Sequence, residues 1–379
     1  MVMKFALLLI LAIPLGASSL DERIAKGMRE MIAAKEIPGA VTLVANRGRV
    51  THLRAIGMAG ASGSPAMRKD SIFWIASMTK PIAGTAILML QDEGKLNVRD
   101  LVSKYIPELA NLKTPSGQPA NLTLQHLMTH SSGLAEATND ESKLARKLGD
   151  LIPAYANKPM QFEPGSKWQY CQSGINTLGR IVEVVSGQPF EVFLEARLFR
   201  PLGMKDTTFY LRPQQMPRLV TPVKREADGN FTAATVALLN GQPATDRGHF
   251  PAANGGLFTT AADYSLFARM ILNGGTLKGR KYLRPESVTL MTTVQSGDLK
   301  TGFTPGNGWG LTWCVVRDPQ GITAMLSPGT HGHGGAYGTQ AWIDPQKGLV
   351  LILMVQRSNF GNGDNSAVRL AFQQAATAE

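Results

Sequence analysis

The sequence predicts an α+β fold: an antiparallel sheet built from both chain ends, with flanking helices and an inserted helical region. Two observations carry this. Strand-like segments lie at 39–45 and 50–56, and return at 309–316, 323–326, 339–343 and 349–355. Between them, from about 76 to 249, the chain reads mostly as short helices and irregular segments. Strands at both ends with helices between suggest one sheet that unites the two ends of the chain.

The elements follow in order. Residues 20–36 carry Ile24, Met28, Met31 and Ile32 at helical spacing. The turn Asn46-Arg47-Gly48 joins the first two strands as a hairpin. An apolar run, 72–76, leads into a helix that continues through 81–90 and ends at Gly94. A helix at 123–130 stops at Ser131-Ser132-Gly133. Another at 173–185 places Ile175, Leu178, Val182 and Val185 on one face and stops at Gly187. Residues 205–250 are irregular and rich in Pro, Thr and Gly. A helix at 261–272 is closed by Asn273-Gly274-Gly275. The turn 344–348 separates the last two strands, and a helix at 365–376 closes the chain.

With 379 residues, 44% of them hydrophobic and 18% charged, the chain has the composition of a globular protein with a full core. Residues 1–19 read as a signal peptide: Lys4, an apolar stretch at 5–15, then Ala17-Ser18-Ser19. That stretch is too short to span a bilayer. The expected location is secreted or periplasmic, with no stable membrane insertion after cleavage. Residues 20–379 then form one domain, its sheet part at about 20–75 and 250–379 and its helical insert at about 76–249. The formal charge of +11 is scattered, with no basic run of five, which argues against nucleic acid as a partner. Cys171 and Cys314 lie in apolar surroundings; an exported protein could join them, or leave two buried thiols.

Chemistry concentrates at Ser77-Met78-Thr79-Lys80, where an apolar helix opens. Residues three apart share a helix face, so the Lys80 amine can sit beside the Ser77 hydroxyl. A serine becomes a useful nucleophile when a neighbouring base takes its proton. A desolvated lysine has a lowered pKa and can be that base. Two further segments place polar groups near apolar structure. Trp168-Gln169-Tyr170-Cys171-Gln172 precedes a helix, so Tyr170 is either a second base or relay, or an ordinary buried ring with a bonded hydroxyl. His331-Gly332-His333-Gly334-Gly335-Ala336 precedes a strand; glycines there allow close approach and exposed N–H groups can hold an oxyanion, or the segment is an ordinary Gly-rich hairpin connection.

Taken together, Ser-x-x-Lys, a Tyr about 90 residues on and a Gly-rich strand edge near the C-terminus resemble the serine β-lactamase and penicillin-binding-protein family, most closely its class C and esterase-like branch. Residues 127–134, 255–263 and 308–310 resemble the family too. The resemblance implies a β-lactamase-like fold and assigns roles by position. Ser77 would be the acylated nucleophile, Lys80 its base or base partner, and Tyr170 a proton acceptor or relay. His333-Gly334-Gly335 would match the edge-strand motif, and the Ala336 and Ser77 N–H groups would form the oxyanion hole.

Two positions depart from the family pattern. Gln172 stands where Asn is usual, and its longer side chain would crowd the amide-binding part of the pocket. His333 stands where a Lys would hold a substrate carboxylate. Both favour small carboxylic esters over β-lactams and D-amino-acid peptides, with an acyltransferase as a close variant and a non-catalytic binding module as the remote rival. No cofactor or metal is expected. The literal Lys300-Thr301-Gly302 precedes a loop rather than a strand. His126 and His130 have metal-ligand spacing without the glutamate of a zinc protease. His331 and His333 lack an accompanying ligand cluster.

Overall fold

The computed structural model describes residues 19–302, 304–361 and 363–378. The signal-peptide reading therefore lies, except for Ser19, outside the described residues. A seven-stranded antiparallel sheet holds β1 (Gly39–Asn46), β2 (Val50–Gly57), β3 (Asn307–Trp309), β4 (Cys314–Val316), β5 (His331–Gly334), β6 (Gln340–Asp344) and β7 (Leu349–Met354), in the order β2-β1-β7-β6-β5-β4-β3. β1 pairs with β7, so strands from near both termini meet inside the sheet. The α+β architecture expected from the sequence is observed.

The longer helices are α1 (Leu20–Ala33), α2 (Thr79–Asp92), α3 (Gln172–Ser186), α4 (Ala261–Leu272) and α5 (Ala367–Thr377). Strand alternation divides the core into two layers. Ala40, Val44, Leu351 and Leu353 join Ile24 and Met28 of α1 and Phe372 of α5. Val41, Leu43, Ile352 and Met354 face the other way, with Phe267 and Met270 of α4 and the helical region beyond. The register sets Val41 against Met354 and Leu43 against Ile352. A one-residue slip would exchange the two layers. Both faces are covered, and every residue of β1 before Asn46 is buried.

Helix α2 is buried from Thr79 through Leu90. A helix apolar around its whole circumference belongs inside the protein. It fits because Gly84 brings its backbone against Thr312.

Two strand expectations are corrected. The segment 309–316 is not one strand: β3 and β4 pair as a hairpin, and Thr312 between them takes φ 69° while its N–H donates to the Met128 carbonyl at 2.8 Å. The segment 323–326 is not a strand. Gly321–Thr323 forms a 3₁₀ turn, with Gly321 at φ 53° and the Gln320 N–H donating to Thr323 Oγ1 at 3.1 Å. Ile322 and Leu326 are nonetheless buried, so their apolar character serves packing without a ladder. The helix expected at 123–130 is confined to Leu124–Met128.

Phe372 joins α5 to the sheet and is 1% exposed. Phe372→Ala should destabilise the fold by about 3–5 kcal/mol, the usual cost of emptying such a site. Denaturant unfolding checks it; an unchanged midpoint would show that α5 is not part of the cooperative core.

Candidate active site

Ser77 is presented by a tight turn. The Ile75 N–H donates to the Leu257 carbonyl at 3.0 Å. Ala76 then adopts φ 43°, and Ala76–Met78 forms a 3₁₀ turn leading into α2. A left-handed non-glycine costs of order 1–3 kcal/mol and persists where its surroundings dictate it. Here it leaves Ser77 half-buried between buried neighbours.

One turn on, Lys80 is fully buried. Its Nζ lies 3.0 Å from Ser77 Oγ and donates to the Asn254 carbonyl at 2.6 Å. It also lies 4.7 Å from the centre of the Tyr170 ring. Burial pushes the amine down to about 7, opposed by the Glu136 carboxylate. Glu136 is fixed at the start of α3, accepting from the Ser173 N–H at 2.9 Å and the Ser173 hydroxyl at 2.5 Å. An acceptor carboxylate suits a helix N-terminus.

Tyr170 is held by His130 from both sides. The Gln169 N–H donates to the His130 carbonyl at 2.8 Å, and the Cys171 N–H donates to His130 Nδ1 at 3.1 Å. The His130 ring lies 4.4 Å from the Tyr170 ring, and Trp309 stands edge-on to both. The Tyr170 hydroxyl hydrogen-bonds Ser77 and lies 3.4 Å from His333 Nε2. His333 Nδ1 is 2.7 Å from the Gly334 carbonyl. A carbonyl accepts, so Nδ1 carries the proton and Nε2 accepts from Tyr170. Burial raises the Tyr170 pKa, keeping it a phenol. Burial and the neighbouring Lys80 charge lower that of His333, keeping it neutral.

The strand edge completes the rim. The Gly335 N–H donates to the Thr339 carbonyl at 2.7 Å. A Cβ at Gly335 would collide with Thr339 Oγ1 and lie 2.5 Å from the Ile75 carbonyl, just ahead of the nucleophile turn. Ala336 is exposed just beyond the last ladder pair. Gln172 Oε1 accepts from Asn254 Nδ2 at 3.0 Å, so the expected crowding side chain is tied to the residue that holds Lys80.

Two cavities meet at Ser77. One, of about 500 Å³, is lined by Tyr170, Gln172, His333, Ala336 and Asp364, among others. The other, of about 670 Å³, is walled by Trp74, Leu238, Leu239 and Phe250, with Gln172 and Ala336 again at the boundary. The structure thus gathers Ser77, Tyr170, Gln172, His333, Gly335 and Ala336 around one opening, with Lys80 beneath it. Sequence reasoning missed Asn254, Glu136 and Asp364, and set His130 aside. Gly255-Gly256, quoted for the resemblance, adjoins Asn254 and was the available signal.

Lys300-Thr301-Gly302 lines neither cavity; Thr301 Oγ1 donates to the Asn307 carbonyl at 2.9 Å. The His126 ring accepts from the Thr123 N–H at 3.3 Å and so caps its own helix. Among the described residues no cluster of three potential metal ligands occurs. Cys171 and Cys314 are both buried and free, resolving the question the sequence left open.

A family model described as Beta-lactamase matches residues 20–376. The chain belongs to the β-lactamase family. It is therefore a serine hydrolase, of a family that works through an acyl-enzyme, acting on small molecules. Esterase EstB of Burkholderia gladioli is 29% identical over 378 residues, covering 92% of this chain and 94% of its own. Penicillin-binding protein 4 of Amycolatopsis lactamdurans is 29% identical over 323 residues, covering 84% of this chain and 80% of its own. The solved structure of "EstCE1, a hydrolase with promiscuous acyltransferase activity" superposes with a TM-score of 0.82 at 24% identity, covering 95% of this chain and 98% of its own. That likeness confirms the β-lactamase-like fold. Among the described residues no helix is long and apolar enough to cross a membrane.

Gly335→Ala forces its methyl into Thr339 and the Ile75 carbonyl. It should lower stability by about 1–3 kcal/mol, the scale of overpacking, and lower the melting temperature. An unaltered melting temperature would mean that the strand edge and the nucleophile turn are not in rigid contact.

Proposed function

We propose that this protein is an exported hydrolase of small carboxylic esters, with Ser77 the nucleophile, Lys80 its base and Tyr170 the proton relay. The observation that carries the reading is the buried Lys80 amine, 3.0 Å from Ser77 Oγ with its pKa near 7. A base is most effective when its pKa lies near the working pH. As a neutral amine, Lys80 donates to the Asn254 carbonyl and accepts the Ser77 proton. As an ammonium, it spends its third donor on the Tyr170 ring face.

Ser77 Oγ attacks the ester carbon, its proton passing to Lys80. The oxyanion takes the N–H groups of Ser77 and Ala336. Collapse breaks the bond to the alcohol oxygen, which takes its proton from the Tyr170 hydroxyl, and Lys80 restores the proton to Tyr170. Water repeats the sequence and releases the acid. Side chains and main-chain N–H groups supply every step.

Ester preference is supported by the neutral His333. Among the described residues no lysine or arginine lines the cavity that His333 enters. A carboxylate-bearing penicillin, or a peptide ending in D-alanine, finds no fixed positive partner there. The relative named an esterase agrees with this reading. The relative named a penicillin-binding protein marks the rival, in which amides or β-lactams are the substrates. Export rests on Lys4, the apolar stretch 5–15 and Ala17-Ser18-Ser19. Residues 20–379 form the mature domain.

Ser77→Ala should abolish turnover of a nitrophenyl ester while leaving the melting temperature within a degree or two. Tyr170→Phe should slow it by about two to four orders of magnitude, the scale for a lost general acid–base group. Retained activity in either variant would remove that residue from the mechanism. Acetyl or butyryl esters should exceed a cephalosporin in kcat/KM. The opposite order would make the protein a β-lactamase.

The pH profile follows from Lys80, since the free amine is the working form. Below about 7 kcat/KM should fall tenfold per pH unit, and above it the rate should level off. A rise that continues past pH 9 would mean that the amine is not the base.

A further inference from the structure

The two cavities are not equivalent, because proton delivery has a direction. The departing alcohol must be protonated as its bond to the acyl carbon breaks. Tyr170 and His333 line the 500 Å³ cavity and are absent from the wall of the 670 Å³ cavity. Lys80 lines neither. A leaving oxygen turned toward the larger cavity would turn away from both Tyr170 and His333. The alcohol therefore occupies the Tyr170–His333 side, and the acyl group lies against Trp74, Leu238 and Phe250. Ser77, Gln172 and Ala336 border both cavities, as the residues around the reacting carbon must.

The sign of the charge marks the alcohol side. Among the described residues its wall holds one carboxylate, Asp364, and no cation, beside the neutral His333, whereas the larger cavity carries Lys143 and Arg146 together with Asp246. Gln340 Nε2 donates to Asp364 Oδ1 at 2.9 Å and fixes its direction. Gly334 passes so close to that oxygen that a Cβ would collide with it. The Asp364 main-chain carbonyl accepts from Arg369 Nη1 at 2.7 Å. Arg369 is fully buried, stacked 3.9 Å from the centre of the Trp342 ring, and does not line the cavity. Asp364 thus lines the cavity, and Arg369 does not.

We propose that Asp364 is a specificity residue of the leaving-group cavity, selecting esters of neutral or cationic alcohols and rejecting esters whose alcohol carries a carboxylate. The proposal rests on the ester-hydrolase reading above. The same cavity admits the second nucleophile after acylation, since deacylation reverses the path of the leaving group. Acceptor alcohols that compete with water are accordingly sorted by the same charge.

The test uses three butyrate esters of similar size: the cationic choline ester, its neutral isostere 3,3-dimethylbutyl butyrate, and the butyrate of 3-hydroxypropanoate. In the wild type kcat/KM should fall in that order, with about a tenfold step for each unit of charge at this range. Asp364→Asn should bring the cationic-to-neutral ratio to about one. It should raise the anionic-to-neutral ratio about tenfold, because the repulsion from Asp364 is removed. Ratios within one preparation do not depend on how much of a variant folds. Asp364→Glu, which keeps the charge, should keep the wild-type order. As a mirror, ethyl esters that differ only in acyl-group charge should respond less than twofold to Asp364→Asn. Equal ratios in wild type and Asp364→Asn, or a larger response to acyl charge than to alcohol charge, would overturn this inference alone. Failure of all three butyrates to show Ser77-dependent turnover would overturn the ester-hydrolase reading with it.

Discussion

The structure turns on a lysine amine taken out of water. Lys80 is fully buried, and its Nζ is hydrogen-bonded to Ser77 Oγ and the Asn254 carbonyl. Moving an ammonium into such a place is costly, and the cost is met by releasing the proton, so the pKa falls to about 7. The same event makes the amine a base. Its surroundings serve this balance: α2 is buried on all sides, Tyr170 roofs the amine with a ring face, and Glu136 keeps the shift from going further. More negative charge beside Lys80 would keep it protonated and useless as a base. Less would lower its basicity below what Ser77 needs.

Around that amine the fold supplies rigidity from remote parts of the chain. The nucleophile turn is held by Leu257 and by the Thr339 side chain, which reaches the Ile75 carbonyl at 3.4 Å. Tyr170 is fixed by His130, whose own backbone is left-handed at φ 57°. Two left-handed non-glycine residues, Ala76 and His130, thus stand directly behind the two hydroxyls that meet at the site. Strain of that kind is concentrated where geometry matters most for chemistry.

Much of this was legible in the sequence, for local reasons. Ser77 and Lys80 are one helical turn apart, so helix geometry alone predicts their contact. Helix 261–272 was read to the residue, its end from Asn273-Gly274-Gly275, and the structure adds Thr260 as its N-cap. Tyr170, His333 and Ala336 were placed by resemblance, since nothing local tells a buried tyrosine from a catalytic one. Asn254 was invisible because it holds Lys80 through a main-chain carbonyl, which any residue could offer. Glu136 caps a helix 36 residues away, and Asp364 reaches the cavity through the packing of β5. The misread strands fail for a related reason. Both 309–316 and 323–326 are apolar enough to be buried, but Thr312 and Gly321 take positive φ, imposed by the Met128 carbonyl and by a 3₁₀ turn.

Activation of Ser77 depends on the protonation of one amine at neutral pH. Nitrogen-15 NMR titration of the intact protein, with Lys80 Nζ assigned by its loss in Lys80→Arg, reports that state directly. A midpoint near 7, far below that of the surface lysines, is the predicted result. An ammonium signal that persists unchanged above pH 9 would contradict the account, leaving Ser77 beside a permanent cation with no base to take its proton.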